Sequence, residues 1–108
     1  MAERTRNPGD TAVAIPKART AKKIAKPPLF KVLLHNDDFT TMEFVVEVLQ
    51  TVFHHDIVGA TRIMLRIHQR GVGVAGTYSM EIAETKAEKV MSMAREAEYP
   101  LLCTVEPE

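Results

Sequence analysis

A small α/β domain is predicted, with a three-stranded sheet packed by three helices in the order strand, helix, helix, strand, helix, strand (β-α-α-β-α-β). Two observations carry this. Apolar residues recur at helical spacing in three separate stretches, each preceded by a capping residue, and short apolar or alternating runs lie before, between and after them. A third bounds the size. The first 29 of the 108 residues contain no Phe, Tyr or Trp yet hold four of the six prolines, which leaves about 80 residues for a core. A chain of that length buries on the order of 60–65% of its unfolded surface.

Phe30-Lys31-Val32-Leu33-Leu34-His35 is an apolar run that ends at the turn-favouring Asn36-Asp37-Asp38, as a mostly buried strand entering a loop does. Thr40 with Glu43 forms a capping box, and Phe44, Val45, Val48, Leu49, Val52 and Phe53 then follow helical spacing, so a first helix is expected from about 41 to 53. Asp56 caps a second helix from about 57 to 70, with Ile57, Ala60, Ile63, Met64 and Ile67 as its apolar stripe and Gly71 as its stop. Val72, Val74 and Tyr78 alternate with smaller residues, which suggests a second strand despite its glycines. Ser79 opens a third helix whose face is Ile82, Ala83, Ala87, Val90, Met91 and Ala94, and Pro100 is expected to end it. Leu101 to Val105 is the last strand.

The zero formal charge conceals a split. Residues 1–27 carry seven basic residues against Glu3 and Asp10, whereas residues 28–108 carry seven basic and twelve acidic ones. Residues 1–27 lack the apolar surface that offsets ordering entropy and read as a disordered basic extension, with residues 28–108 as the folded core. Glu3 and Asp10 argue against a mitochondrial transit peptide. No apolar run approaches the ~20 residues of a membrane span, so no membrane association is expected. Cys103 is the single cysteine and closes no internal disulfide, consistent with a reducing cytosol.

Most chemical motifs fail on context. Gly71-Val72-Gly73-Val74-Ala75-Gly76 fits G-x-G-x-x-G but follows a helix and lies in a strand, where no helix N-terminus meets a phosphate. His54-His55-Asp56 lacks further ligands at metal spacing, and Asp37-Asp38 lacks the alternating oxygens of a calcium loop. No Ser or Cys has a His and an acid recognisably beside it, so neither catalysis nor a cofactor is expected. Arg62, Arg66 and Arg70 form a basic stripe at i, i+4 and i+8, read as a solvated face because the folded part is net acidic and repels nucleic acid. One constellation remains. Asn36-Asp37-Asp38 gathers polar and acidic groups at a strand end, while Met64 and His68 lie one turn apart on the second helix with Ile67 on the neighbouring row. Acid beside apolar surface suits a ligand with a cation at one end and a hydrophobic side chain at the other.

Residues 32–46, Ala60-Thr61-Arg62-Ile63-Met64, Ala83-Glu84-Thr85-Lys86 and Pro100-Leu101-Leu102-Cys103-Thr104 together closely resemble the ClpS adaptor family over nearly everything after residue 28. The resemblance implies a fold similar to the C-terminal domain of the ribosomal stalk protein. It implies a non-catalytic bacterial cytoplasmic adaptor, monomeric, that binds destabilising N-terminal residues (Leu, Phe, Tyr, Trp) and delivers their bearers to the ClpA unfoldase of the ClpAP protease. Position by position, it implies that Asn36, Asp37 and His68 hold the substrate's α-amino group and that Asp38 supports the loop and adjoining backbone. Leu34, Thr40, Met42, Val45, Met64, Ile67 and Leu101 would line the side-chain pocket, with Met42 as a gate against β-branched residues. Glu81 and Lys86 match positions that contact the unfoldase's N-terminal domain. The sequence departs from the common pattern at Thr41 (usually Pro), Phe39 (usually Tyr) and Ile67 (commonly Val), and His35 stands where an aliphatic residue near the pocket wall is expected. The alternative from another class is a ribosome- or nucleic-acid-associated module, drawn from the stalk-like fold, the basic extension and the arginine stripe.

Overall fold

The computed structural model describes residues 26–108, so the basic extension expected over residues 1–27 lies almost wholly outside the described residues. The six elements occur in the expected order: β1 (Phe30–His35), α1 (Met42–Thr51), α2 (Ile57–Arg70), β2 (Val72–Tyr78), α3 (Met80–Ala97) and β3 (Leu102–Pro107). The sheet is antiparallel with β1 in the centre, in the order β2-β1-β3. Leu34 stands opposite Gly73 on one side and Cys103 on the other, and the β1–β2 register shifts between Val32 and Leu33, which leaves Ala75 as the extra residue of a bulge.

Side chains alternate across the sheet. Val32 and Leu34 point into a core shared with Val48 and Leu49 of α1, Ala60 and Ile67 of α2, and Val90 of α3. Each large aliphatic side chain there contributes roughly 1.5–3 kcal/mol relative to exposure. Lys31, Leu33 and His35 occupy the opposite face, which no helix among the described residues covers with core side chains.

Several boundaries and faces differ from expectation for identifiable reasons. The N-cap of α1 is Thr41, whose hydroxyl accepts from the Phe44 amide at 3.1 Å; Thr40 does not cap because Asp37 takes its hydroxyl. Val52 and Phe53 fall just beyond the helix yet remain buried. Helix α2 is as predicted, capped by Asp56 onto the Gly59 amide at 2.8 Å and ended by Gly71 at φ 90°. Ile57 is exposed rather than inward, as is Ile82 of α3. Ser79 occupies the N-cap of α3 without a side-chain capping bond, and the helix ends at Glu98, whose φ of 63° reverses the chain before Pro100 is reached.

In β2 the small residues face the core: Gly73 and Ala75 are buried while Val72 and Val74 are exposed. The cause is close packing of α2. A Cβ added to Gly73 would stand 2.7 Å from Ile67 Cγ1, so only glycine admits the helix at that distance.

Candidate functional site: a cleft between the β1–α1 loop and helix α2

The loop after β1 is fixed at both ends. The Asn36 amide donates to the Gly71 carbonyl at 2.8 Å, tying the strand end to the C-terminus of α2. One residue on, Asp37 Oδ1 accepts from the Phe39 and Thr40 amides at 2.8 and 2.7 Å, and Oδ2 accepts from the Thr40 hydroxyl at 2.7 Å. This side-chain turn substitutes for backbone structure and delivers the chain to the Thr41 cap. Burial raises the Asp37 pKa, but the three hydrogen bonds from Thr40 and Phe39 outweigh it and hold the carboxyl below its ordinary value. Asp37 is therefore ionised at neutral pH.

Asn36, Asp37, Asp38, Thr40 and His68 surround a cavity of about 220 Å³ whose apolar lining is Met42, Val45, Met64 and Ile67. Drug-sized ligand sites span roughly 300–1,000 Å³, so this one suits a single side chain rather than a cofactor. Val45, Met64 and Ile67 are buried, whereas Met42 is 41% exposed and stands at the mouth. Cleft geometry follows from helical spacing: Met64, Ile67 and His68 share one side of α2, and Met42 and Val45 lie one turn apart on α1.

Nine of the eleven residues expected at the amino-group site, its loop and its pocket therefore converge. Leu34 and Leu101 are placed deeper; at 0% and 3% exposure they belong to the core and do not line the cavity. Sequence reasoning missed the supporting residues Gly71 and Gly73, one supplying the carbonyl that holds Asn36 and the other the space that seats Ile67. Gly73 was signalled only as a glycine within a strand pattern, and Gly71 only as the stop of a helix. His35 is not at the pocket wall: its Nε2 lies 2.8 Å from the Thr104 hydroxyl on the opposite face of the sheet. His55 Nε2 lies 2.6 Å from the Ala75 carbonyl, anchoring the bulge to the turn before α2.

Glu81 and Lys86 lie on α3 and do not line the cleft. Glu81 is exposed in the first turn. Lys86 is half-buried, donating from Nζ to the Val52 carbonyl at 2.7 Å with its ammonium over the rings of Tyr78 (5.2 Å) and Phe53 (5.9 Å). Among the described residues no three His, Cys, Asp or Glu gather as metal ligands, and no helix is long and apolar enough to cross a membrane. Burial pushes the Cys103 thiol up to about 12, which leaves no appreciable thiolate at neutral pH.

Fold and cleft together define a small recognition module with a polar, acidic rim, an apolar floor and room for one side chain. The family model for the ATP-dependent Clp protease adaptor protein ClpS matches residues 25–104. The chain is 62% identical over 87 residues to the ClpS adapter of Desulfatibacillum aliphaticivorans, covering 81% of this chain and 84% of that one. It is 52% identical over 99 residues to that of Myxococcus xanthus, covering 92% of each. A solved structure of Agrobacterium tumefaciens ClpS2 bound to L-phenylalaninamide superposes with a TM-score of 0.74 at 42% identity, covering 77% of this chain and all of that one. The chain belongs to the ClpS family of Clp protease adaptors, which are non-catalytic.

Proposed function

We propose that this adaptor binds polypeptides through a free N-terminal residue with a large apolar side chain (Leu, Phe, Tyr or Trp) and delivers them to the ClpA unfoldase of the ClpAP protease. The observation that carries the reading is the single cavity that joins Asn36, Asp37 and His68 at its rim to Met42, Val45, Met64 and Ile67 at its floor. Asn36, Asp37 and His68 hold the α-ammonium, Asp38 supports the loop and the first peptide unit, and the apolar residues receive the side chain. L-phenylalaninamide, the ligand of the related structure, has the same combination of ammonium and apolar side chain.

Magnitudes explain why both ends of the ligand are needed. Burying one large apolar side chain gives roughly 1.5–3 kcal/mol, and each hydrogen bond to a charged ammonium adds roughly 1.5–3. Association costs on the order of 4–15 kcal/mol, so neither part alone gives more than weak binding. An internal Phe, which has no ammonium, is ignored. Glu81 and Lys86 on α3 make the separate contact with the N-terminal domain of ClpA, leaving the cleft free to hold cargo, and the adaptor acts as a monomer in the bacterial cytoplasm.

Fluorescence anisotropy tests the reading with peptides that differ only in their first residue, each with a free and an acetylated N-terminus. Free Leu- and Phe-first peptides are expected to bind and their acetylated forms to lose at least about tenfold in affinity; equal binding of the capped forms would overturn the assignment.

A further inference from the structure

Residues on the other side of the Asn36–Gly71 bond form a second, larger groove. It has a volume of about 720 Å³ and is lined by Arg66 and Arg70 of α2, Val72 and Val74 of β2, Lys31 of β1 and Glu106 of β3. Its floor includes Leu33, 7% exposed although it points away from the core. Only seven basic residues stand against twelve acidic ones after residue 27, and three of the seven meet here. Glu106 is the strand neighbour of Lys31 and offsets it, so the positive character rests on the two arginines, which are exposed at the groove wall.

Cleft and groove are adjacent. Asn36 lines one and its neighbour His35 the other; His68 lines one and Arg70 the other; the hydrogen bond from Asn36 to Gly71 joins the two linings. We propose that this groove takes the acidic stretch of a bound polypeptide a few residues beyond the N-terminal residue held in the cleft. The inference rests on the N-terminal reading above and extends it to a second contact with the same ligand. An extended chain advances about 3.3 Å per residue, so a polypeptide fixed by its first residue reaches the adjoining groove within a few positions. Charge supplies the direction of preference. Asp37 and Asp38 at the cleft rim oppose a carboxylate immediately after the first residue, whereas Arg66 and Arg70 attract carboxylates at about positions 3 to 6.

The test uses the full chain and Leu-first peptides labelled at their C-terminus, with Glu, Ser or Lys at positions 3 to 6, free or acetylated, titrated by anisotropy at low and high salt. The free Glu peptide is expected to bind roughly three- to tenfold more tightly than the Ser peptide at low salt, with the advantage screened at high salt. Arg66→Glu with Arg70→Glu is expected to abolish the preference while leaving the Ser peptide's affinity and the far-ultraviolet dichroism unchanged. A Glu peptide that binds no better than Ser, or a preference that survives the double variant, overturns the groove assignment. Acetylated peptides binding as well as free ones would instead sink the N-terminal reading itself, so the two failures are separable.

Discussion

The Asp37 carboxylate organises the loop by accepting from Thr40 and Phe39, and it lines the cleft, where the proposed function makes the same charge the partner of an ammonium. Asp37→Ala is expected to weaken a Phe-first peptide by at least about tenfold, since a charged hydrogen bond is lost, while the core, which it does not enter, stays folded. The depressed pKa has a definite sign. Ionised Asp37 favours the folded loop at pH above its unfolded value of 3.8, and that contribution is lost as pH falls through the lower folded value. A carboxyl-detected NMR titration should place its midpoint below 3.8; a midpoint above it would show that the Thr40 and Phe39 bonds do not form in solution. Met42, partly exposed in the cleft lining, is the expected gate against β-branched side chains. Met42→Ala is expected to improve binding of Ile- and Val-first peptides by about tenfold or more, on the scale of one relieved methylene clash, and unchanged rejection of both would remove it as the gate.

At the level of elements, residue pattern and outcome agree where the signal is periodic. The three helices, the order of all six elements and the cap–stop pair Asp56 and Gly71 were legible because each depends on local chemistry. Where tertiary packing decided, the sequence was silent or pointed elsewhere. Alternation in β2 announced a strand but did not say which face turns inward, and the near approach of α2 reserves the inner face for Gly73 and Ala75. The sequence pointed to Thr40 as the cap of α1, but Asp37, a residue outside the helix, takes the Thr40 hydroxyl and Thr41 caps instead. The pocket roles came from resemblance rather than spacing, and depth separates two of those residues from the rest: Leu34 and Leu101 belong to the core and are not among the cleft lining. The β2–α2 contact gives a test at its own scale. Gly73→Ala forces Ile67 to shift, which is expected to cost about 1–3 kcal/mol in urea unfolding and to weaken binding of Phe-first more than of Leu-first peptides. Equal binding of both by a variant of unchanged stability would show that Gly73 does not seat the cleft floor.

Across the whole molecule, the cleft and the α3 residues Glu81 and Lys86 lie on different parts of one small body, which fits the proposed separation of cargo and unfoldase contacts. They are not equivalent to the fold. Lys86 links α3 to the end of α1 through the Val52 carbonyl, whereas Glu81 is exposed at a helix start. Glu81→Ala is expected to slow ClpAP degradation of a Leu-first reporter with stability within about 0.5 kcal/mol of the parent. Lys86→Ala should slow it and also lower stability by about 1–3 kcal/mol, as a buried carbonyl loses its partner. Degradation at the parental rate in both variants would place the unfoldase contact elsewhere.

Isothermal titration calorimetry with L-phenylalaninamide and its N-acetyl derivative is the most direct measurement, because the two ligands differ only in the ammonium. Saturable one-to-one heat with the free amine and none with the acetylated form is the expected result. Comparable affinity for both, or parental affinity in Asp37→Ala, would contradict recognition of a free N-terminus by this cleft.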